Sequence, residues 1–403
     1  MRSVVIVGAS HAAAEAVSSL RKFGWQDNII LVGDEPVLPY QRPPLSKGYY
    51  KGEVEAEKLL IRPESFYQKH EVNLMLGRRV ESINRNDKAL SLDNGEQLSY
   101  THLILATGTR ARKLPIEGAE LANINYLRTK HDVDSIKSQL TPGGKLLIVG
   151  AGYIGLEVAA SAVKKGVDVI VFEAMDRVLA RVTSPQVSEF YQRVHAEEGV
   201  DIRLNATLQR FEQTESGLQA ITADGSTVPF DAAIIGIGVI PNIELADDAG
   251  LGCDNGIIVN QYTQSDDASI YAIGDCSNHF NFLYARRIRL ESVPNAVEQA
   301  KVAAAKICGK KMVYDQLPWF WSDQYDVKLQ TAGLLQGHDQ VVTRGDANSR
   351  KFAAFYLKAG VLIAVDALNS PAEFMLSKKL IQQKISPAPS KLADASVSLK
   401  EIL

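Results

Sequence analysis

Two stretches of this chain, residues 4–34 and 145–173, follow the same order of elements, and this repetition limits the possible folds more than any other feature. Each stretch has a short apolar run, a turn of small residues, a helical segment stopped at Gly24 or Gly166, and a second apolar run that ends in an acid. A strand, a tight turn and a helix followed by a parallel strand begin a Rossmann-like nucleotide-binding unit. The sequence therefore predicts two such units in one chain.

The repeat continues downstream with a constant offset. Gly95 and Gly225 each lie in a turn between two short runs of strand character, and Gly108 and Gly238 each end the apolar strand that follows. Both glycine pairs are 130 positions apart, whereas the first glycines of the two motifs are 142 positions apart. One offset for two features indicates a true duplication, in which residues 38–60 hold the extra length of the first copy.

The predicted fold class is α/β, with two Rossmann-like domains and a small C-terminal α+β domain. Residues 263–275 and the helical segment behind them complete the domain of the first copy. We therefore expect a discontinuous first domain of residues 1–113 and 242–320, an inserted second domain of residues 114–241, and a C-terminal domain of residues 321–403.

The second motif is a complete G-x-G-x-x-G, formed by Gly150, Gly152 and Gly155. These glycines permit a tight turn, the close approach of a diphosphate and close helix packing, and the helix N-terminus offers unpaired N–H groups to phosphate. Glu173, at the end of the next strand, can accept hydrogens from two ribose hydroxyls and would repel a 2′-phosphate. The motif predicts a site for NAD.

The first motif is degenerate, because Ser10 and Ala13 stand where the second and third glycines would follow Gly8. Alone it allows two interpretations, a dinucleotide site or an empty Rossmann unit. Small residues at two other strand ends, where a ligand could approach the backbone, favour the first interpretation. They are Ala106, Thr107 and Gly108, and Gly274 with Asp275. The last of these could instead be an ordinary helix N-cap.

Composition argues against several other classes of protein. With 44 Lys and Arg against 47 Asp and Glu, the chain lacks the basic excess typical of nucleic-acid binding. Its apolar runs fall far short of the ~20 residues needed to cross a bilayer, and we expect a cytoplasmic protein without a membrane span. Cys253, Cys276 and Cys308 are too far apart for a Cys-x-x-Cys motif, and the seven histidines are scattered, so we expect neither a redox disulfide nor a metal.

A series of strings extends along nearly the whole chain: LPYQRPPLSK from residue 38, LATGTRARKLP, YLRT, VGAGYIGLEVAA, IYAIGDC, ESVPNAVEQA and PWFWSDQYD. In this order they resemble the ferredoxin and rubredoxin reductases of the glutathione-reductase-like flavoprotein superfamily. The resemblance is greatest to the reductase components of bacterial aromatic-ring dioxygenases and class I haem monooxygenases.

This resemblance implies bound FAD, oxidation of NADH and transfer of single electrons to an iron–sulfur ferredoxin that feeds an oxygenase in aromatic hydrocarbon catabolism. A flavin suits that task because it can take a hydride and release its two electrons one at a time. Together with the motif residues, the expected FAD contacts are Gly8, Ser10, Ala12, Ala13, Asp34, Arg42, Lys47, Val80, Ala106, Thr107, Gly108, Arg128, Gly274, Asp275 and Val293. The expected NAD contacts are Gly150, Gly152, Ile154, Gly155, Glu157, Glu173, Gly236 and Gly238.

Three residues are expected to act in catalysis. Lys47 and Glu157 should form an ion pair beside the flavin; the alternative is that Lys47 begins a solvent-facing helix and Glu157 only packs on one. Trp321 offers a short path for an electron, together with Trp319.

The expected partner is an acidic ferredoxin of the two-iron type. Because the net charge of -3 opposes such a partner, attraction requires a local basic patch. Its candidates are Arg286, Arg287, Arg289, Lys301, Lys378 and Lys379. We expect no nucleic acid among the partners, and a monomer or a homodimer.

Two other functions compete with this one. The apoptosis-inducing flavoproteins share the RPPLSK segment but bind partners and nucleic acid through basic surfaces, which the charge balance does not favour. The related NADH oxidases need a cysteine soon after the second strand, where this chain reads PYQRPPLSK.

Overall fold

A computed structural model describes residues 2–402, which form two compact units. The first unit takes in residues 2–41, Ala56–Arg110 and Ile240–Pro318. The second takes in Arg42–Glu55, Ala111–Val239 and residues 319–402.

Short strands and helices follow one another along these residues. The strands are β1 (Ser3–Val7), β2 (Asn28–Gly33), β3 (Val72–Leu76), β4 (Val80–Asn84), β5 (Ala89–Leu92), β6 (Gln97–Ser99), β7 (His102–Leu105), β8 (Thr109–Ala111), β9 (Ile124–Asn125), β10 (Lys145–Val149), β11 (Asp168–Phe172), β12 (Asp201–Arg203), β13 (Leu208–Thr214), β14 (Gly217–Thr222), β15 (Thr227–Phe230), β16 (Ala232–Ile235), β17 (Val239–Pro241), β18 (Ile257–Val259), β19 (Ile270–Ala272), β20 (Ser277–Asn281), β21 (Arg286–Ile288), β22 (Trp319–Gln324), β23 (Val327–Gly333), β24 (Gln340–Asp346), β25 (Lys351–Lys358) and β26 (Val361–Leu368). The α-helices are α1 (His11–Lys22), α2 (Gly48–Lys51), α3 (Glu64–Lys69), α4 (Lys130–Gln139), α5 (Tyr153–Val163), α6 (Pro185–Glu197), α7 (Glu244–Asp248), α8 (Val293–Ile307), α9 (Pro371–Gln383) and α10 (Pro389–Ala393). Short 3-10 turns cover Pro43–Ser46, Ala56–Leu59, Gly274–Cys276 and Leu399–Ile402.

The first unit is built on a parallel sheet of order β19-β7-β1-β2-β3. The buried alanines of α1 and α8 pack in one core cluster with the apolar side chains of β1 and β2. Alanine lets two helices and a sheet approach closely, which brings the N-terminal ends of both helices near the carboxyl ends of the central strands. The hairpin sheets β4-β5-β6 and β18-β20-β21 complete this unit.

The second unit contains another parallel sheet, of order β12-β11-β10-β16-β9, and a hairpin sheet β13-β14-β15. It also contains the C-terminal sheet β22-β23-β26-β25-β24, which is antiparallel throughout. Leu380 and Ile381 of α9 are buried, as expected for a helix that covers one face of a sheet. The α/β class with a C-terminal α+β part is thus as predicted.

The predicted duplication is visible in individual hydrogen bonds. The amide of Gly8 donates to a carbonyl of β2 over 2.8 Å, and the amide of Gly150 donates to the corresponding carbonyl of β11 over 2.7 Å. The turn amides of Gly95 and Gly225 each donate over 2.9 Å to the residue three positions earlier. Both copies therefore use the same backbone connections at the spacings found in the sequence.

The extra length of the first copy has a distinct place in the chain's organisation. Residues Arg42–Glu55 belong to the second unit, although the residues on both sides of them belong to the first. The second unit also combines the expected inserted domain with the C-terminal one. The three-domain division stays a prediction beside this two-unit arrangement.

Candidate functional site

The first glycine turn, between β1 and α1, has no room for a side chain at Gly8. Its φ is +106°, and a Cβ there would lie 2.2 Å from the carbonyl oxygen of Ala106, just after β7. Gly274 has a φ of +77°, and its Cβ would lie 3.5 Å from that of Ala12. Three stretches that are distant in sequence therefore meet at the N-terminus of α1, where N–H groups can receive a phosphate.

The departures from the glycine motif are accommodated locally. Ala13 is fully buried in the core cluster of α1 and α8, so its methyl group serves as packing. Ser10 is the N-cap of α1 with an extended backbone, and the first turn of the helix carries no acid. Nearby, the hydroxyl of Thr107 donates to the carbonyl of Asn242 over 2.7 Å, and the Asn242 amide returns a bond over 2.8 Å. This end of the sheet fits a diphosphate-bearing ligand.

The second glycine turn separates the roles of its three glycines. A Cβ at Gly150 would lie 2.5 Å from the carbonyl oxygen of Gly236, and one at Gly155 would lie 2.2 Å from that of Gly150. A Cβ at Gly152 would meet no atom within 4 Å. Packing therefore requires the outer two glycines, while the middle one borders open space at the N-terminus of α5, where Ile154 is 47% exposed.

Glu173 is held beside this turn by backbone amides. Its Oε2 accepts from the amide of Ala151 over 2.7 Å, and its Oε1 accepts from the amide of Met175 over 2.9 Å. Arg177, the next cation along the chain, donates instead to carbonyls of the loop that follows it. Each carboxylate oxygen keeps a lone pair for a ribose hydroxyl, and no guanidinium from this segment is directed to the carboxylate.

The predicted ion pair between Lys47 and Glu157 is present, at 2.5 Å between Nζ and Oε2. The side chains are 20% and 4% exposed, so the alternative of a solvent-facing Lys47 is wrong. Two hydroxyls also donate to the carboxylate over 2.6 Å, that of Ser46 to Oε2 and that of Ser322 to Oε1. Three donors hold one buried carboxylate, which makes this charge costly to leave unpaired.

A hydrogen-bonded chain that the sequence did not predict extends from this carboxylate. Gln324 donates from its amide nitrogen to the Ser322 hydroxyl over 3.3 Å, so its carbonyl faces His195 Nε2 at 2.8 Å. The Nε2 of His195 therefore carries the hydrogen, and Nδ1 accepts from the hydroxyl of Tyr325 over 2.9 Å. Burial lowers the pKa of His195 to about 4 and keeps the ring neutral.

The sequence contained a weak signal for part of this chain. Ser322 and Gln324 are two positions apart in the string PWFWSDQYD, so in a strand they share one face. They are polar and fully or almost fully buried in β22. His195 has no such signal, because a single histidine in a helix does not indicate its partner.

Other predicted residues occupy varied surroundings. Arg42 donates from its guanidinium to the carbonyl of Arg128 over 2.7 Å in the second unit. In the first unit, Val80 is a buried core residue at the start of β4, Asp34 is exposed after β2, and Val293 begins α8. Their assignment as FAD contacts stays a prediction.

The predicted docking cations fall into two groups. Arg287 donates to backbone carbonyls, and Arg289 is 11% exposed and forms an ion pair with Glu291 at 2.7 Å. Lys301 pairs with Glu298 at 2.7 Å on the same helix. These three side chains are already engaged, and burial makes Arg289 a poor candidate for a docking surface.

The remaining cations suit a surface role better. Arg286 and Lys379 are exposed. The Nζ of Lys378 lies 4.8 Å from the ring centroid of Trp319, and the Trp319 and Trp321 rings are 5.8 Å apart. A lysine over an aromatic face keeps its charge while covering the ring.

The cysteines are spread through the first unit. Within residues 2–402, Cys253, Cys276 and Cys308 are all free thiols, and burial raises the pKa of the Cys276 thiol. The same part of the chain contains no group of three side chains arranged to hold a metal. Among its described helices, none has the length and apolar character that crossing a membrane requires.

Two Rossmann-like sheets, each with a dinucleotide-type turn, define an oxidoreductase class that uses two dinucleotides. Residues 2–300 match the family described as pyridine nucleotide-disulphide oxidoreductase, and residues 319–403 match the reductase C-terminal family. The chain therefore belongs to the pyridine nucleotide-disulphide oxidoreductases, and its C-terminal part and relatives place it among their ferredoxin-reductase-type members.

The relatives cover the chain from end to end. The chain is 44% identical to putidaredoxin reductase of Pseudomonas putida, over 100% of this chain and 96% of that protein. It is 42% identical to rhodocoxin reductase of Rhodococcus erythropolis, over 99% and 93% of the two proteins. The reductase in a crystal structure of the covalent putidaredoxin reductase–putidaredoxin complex matches with a TM-score of 0.97 at 44% identity, covering 100% of this chain and 98% of that one. The predicted family and the oxidoreductase activity are confirmed.

Proposed function

We propose that this protein is an NADH:ferredoxin reductase that binds FAD in its first unit and NADH in its second. The observation that carries the proposal is the paired glycine turns, which repeat the same backbone contacts in front of two helix N-termini. FAD, when bound, would supply the conversion of a two-electron hydride into single electrons.

The residues of each turn receive separate roles in this proposal. The N-terminus of α1 would receive the FAD diphosphate, with Asp34 at the adenosine ribose and Asp275 at the ribityl chain. The N-terminus of α5 would receive the NADH diphosphate, and Glu173 would select NADH because its carboxylate repels a 2′-phosphate.

Lys47 and Glu157 would control the electrostatics at the flavin. Glu157 holds Lys47 in a fixed position through an ion pair that is mostly excluded from water. A fixed cation needs no reorganisation when negative charge develops nearby, and this is the usual way that proteins favour a charged state.

The electron acceptor would be a small acidic iron–sulfur protein. Exposed Arg286, Lys378 over Trp319, and Lys379 supply positive charge for such a partner, whereas the relative in the crystallised complex is joined to putidaredoxin. Trp319 and Trp321 offer flat apolar contact area beside Lys378.

Anaerobic titration of the FAD-loaded protein with NADH tests the proposal. We expect one FAD per chain, loss of the flavin absorbance on adding NADH, and full reduction of an added two-iron ferredoxin. A protein that stays colourless after refolding with FAD would contradict the cofactor. Reduction of oxygen alone would indicate an NADH oxidase, and tight binding of DNA at physiological salt would favour the apoptosis-inducing type.

A further inference from the structure

One turn of the first unit is fixed by a fully buried glutamine. Gly274 opens the 3-10 turn Gly274–Cys276 with a φ of +77°, and its amide donates to Oε1 of Gln299 over 2.7 Å. The hydroxyl of Ser277 lies 2.8 Å from the same oxygen. Gln299 is 0% exposed on the face of α8 that packs towards α1.

The glutamine amide is itself oriented from behind. Its nitrogen lies 3.3 Å from Nδ1 of His279, which can only accept here because the Gln299 oxygen already serves the turn. Burial lowers the pKa of His279 to about 4, so the neutral ring remains able to accept. The amide therefore cannot flip without losing bonds on both sides.

An arginine holds the same turn at the next residue. Nη1 of Arg289 donates to the carbonyl of Asp275 over 3.2 Å, while its other nitrogens bond Asn255 at 3.3 Å and Glu291 at 2.7 Å. Gln299 and Arg289 thus hold the two peptide groups that flank Asp275. The Asp275 carboxylate itself stays partly exposed, with the hydroxyl of Thr109 at 3.4 Å.

We infer that Gln299 and Arg289 are positioning residues for the flavin cofactor, which act by fixing the backbone that carries Asp275. The inference rests on the proposed function, since it takes FAD to be the ligand of this turn. Gly274 is a neighbour of Ala12 at the N-terminus of α1, so a fixed turn places the Asp275 carboxylate at a set distance from the site proposed for the diphosphate.

The effect should appear in cofactor affinity more than in stability. Without Gln299, the turn of the apoprotein can relax until the Gly274 amide meets water. FAD binding would then have to restore the turn and bury an unpaired N–H group, which costs about 1–3 kcal/mol. Since 1.4 kcal/mol corresponds to a factor of ten, we expect roughly a tenfold or greater rise in the Kd for FAD.

The variant Gln299→Met keeps the length of the side chain and removes its polar atoms. Apoprotein is titrated with FAD by quenching of flavin fluorescence, and the thermal unfolding of apoprotein and holoprotein is recorded alongside. Asn281→Leu is the matched control, because Asn281 is 4% exposed and its oxygen accepts backbone amides of a hairpin remote in sequence from Gln299. We expect the control to keep the wild-type Kd even where it lowers the Tm.

A double-mutant cycle with Asp275→Ala tests the route of the effect. If Gln299 acts through the turn, its removal should matter less once the Asp275 carboxylate is gone, whereas additive effects would overturn the inference. Arg289→Met tests the same turn from the other side, should Gln299→Met not fold, and is also expected to raise the Kd for FAD.

The possible failures can be told apart. Wild-type FAD binding with an unchanged Kd in Gln299→Met, or in Arg289→Met if that is the variant that folds, overturns the inference alone. A wild-type apoprotein that takes up no FAD overturns the proposed function and the inference with it.

Discussion

At the scale of single residues, the functional carboxylates of this chain differ in how they are satisfied. Glu173 accepts from two backbone amides, whereas Glu157 accepts from three side chains. Backbone amides orient a carboxylate and leave it uncompensated, so Glu173 retains a full negative charge at the surface of the turn. An ion pair neutralises Glu157 instead, which suits a group that holds a cation in place.

The charge of Glu173 leads to a prediction about nucleotide choice. Glu173→Ala should reduce the preference for NADH over NADPH by about 1–3 kcal/mol in the ratio of kcat/KM, since one repulsive charge is removed. Steady-state kinetics with both nucleotides measure this ratio. Asp176→Ala, which changes an exposed acid three positions along, should leave it unaltered. Equal kcat/KM values in the wild-type protein would refute the role of Glu173.

Two buried histidines make stability depend on pH. Burial lowers the pKa of both His195 and His279 to about 4, below the ordinary value of 6.5. Between these values the unfolded chain binds protons that the folded chain does not, so stability falls as the pH drops from 6.5 towards 4, by roughly 3 kcal/mol at most for each histidine. His195→Gln should therefore flatten the decrease of Tm over this window. An unchanged slope would show that other groups cause it.

At the scale of elements, strand β22 connects the C-terminal sheet with the proposed active site. Ser322 and Gln324 share one face of β22, and through them a hydrogen-bonded chain joins Glu157 of α5 to His195 of α6. A strand holds alternate side chains at fixed spacing, so it can support such a chain without flexible loops. The C-terminal sheet thus contributes directly to the position of Glu157.

The ion pair gives a prediction for the reductive step. Lys47→Ala should slow flavin reduction by NADH about tenfold or more, because the buried Glu157 loses its cation and the site its fixed positive charge. Stopped-flow absorbance measures the rate, and circular dichroism checks the fold. Lys51→Ala is a suitable control, since Lys51 lies in the same segment and pairs with Glu53 at 2.6 Å. Reduction at the wild-type rate would exclude Lys47 from this step.

The role of β22 can be tested separately at Ser322. Ser322→Ala removes one of the three donors to Glu157, and we expect a several-fold loss in the rate of flavin reduction, corresponding to about 1 kcal/mol. Ser322→Thr keeps the hydroxyl and should restore most of the rate. If both variants behave alike, packing rather than the hydrogen bond determines the result.

At the scale of the whole molecule, the charge balance shapes how an electron acceptor can bind. The formal net charge of -3 repels an acidic ferredoxin at long range, so association depends on local cations. Engagement of Arg287, Arg289 and Lys301 in internal contacts leaves Arg286, Lys378 and Lys379 as the stronger candidates.

Ionic strength should therefore affect one half of the reaction only. The second-order rate of ferredoxin reduction should fall steeply between low and physiological salt, while NADH-to-ferricyanide turnover should change little. Replacing Arg286, Lys378 and Lys379 by Ala should lower the ferredoxin rate and its dependence on salt together. Retention of both in the triple variant would place the docking surface elsewhere.

Sequence analysis could predict much of the fold because the relevant signals are local. Gly8 and Gly150 stand between an apolar run and a helix, and each adopts a φ of +106°. The constant offset of 130 positions also predicted that Gly95 and Gly225 would occupy equivalent turns, since a duplicated segment keeps its internal spacing. Strand, turn and helix depend on residues close together in the chain, and a single sequence contains that information.

The sequence by itself thus determined the two-fold repeat, the α/β class, the family, and the positions of the glycine turns and their acids. Only the tertiary structure decided that Ser46 and Ser322 share Glu157, that Gln299 fixes Gly274, and that Arg289 supports a turn rather than facing a partner. Most of these contacts join side chains far apart in the sequence, and all depend on the packing of helices against sheets. No periodicity encodes them, because neutral polar residues show their role only when burial removes water as the alternative partner.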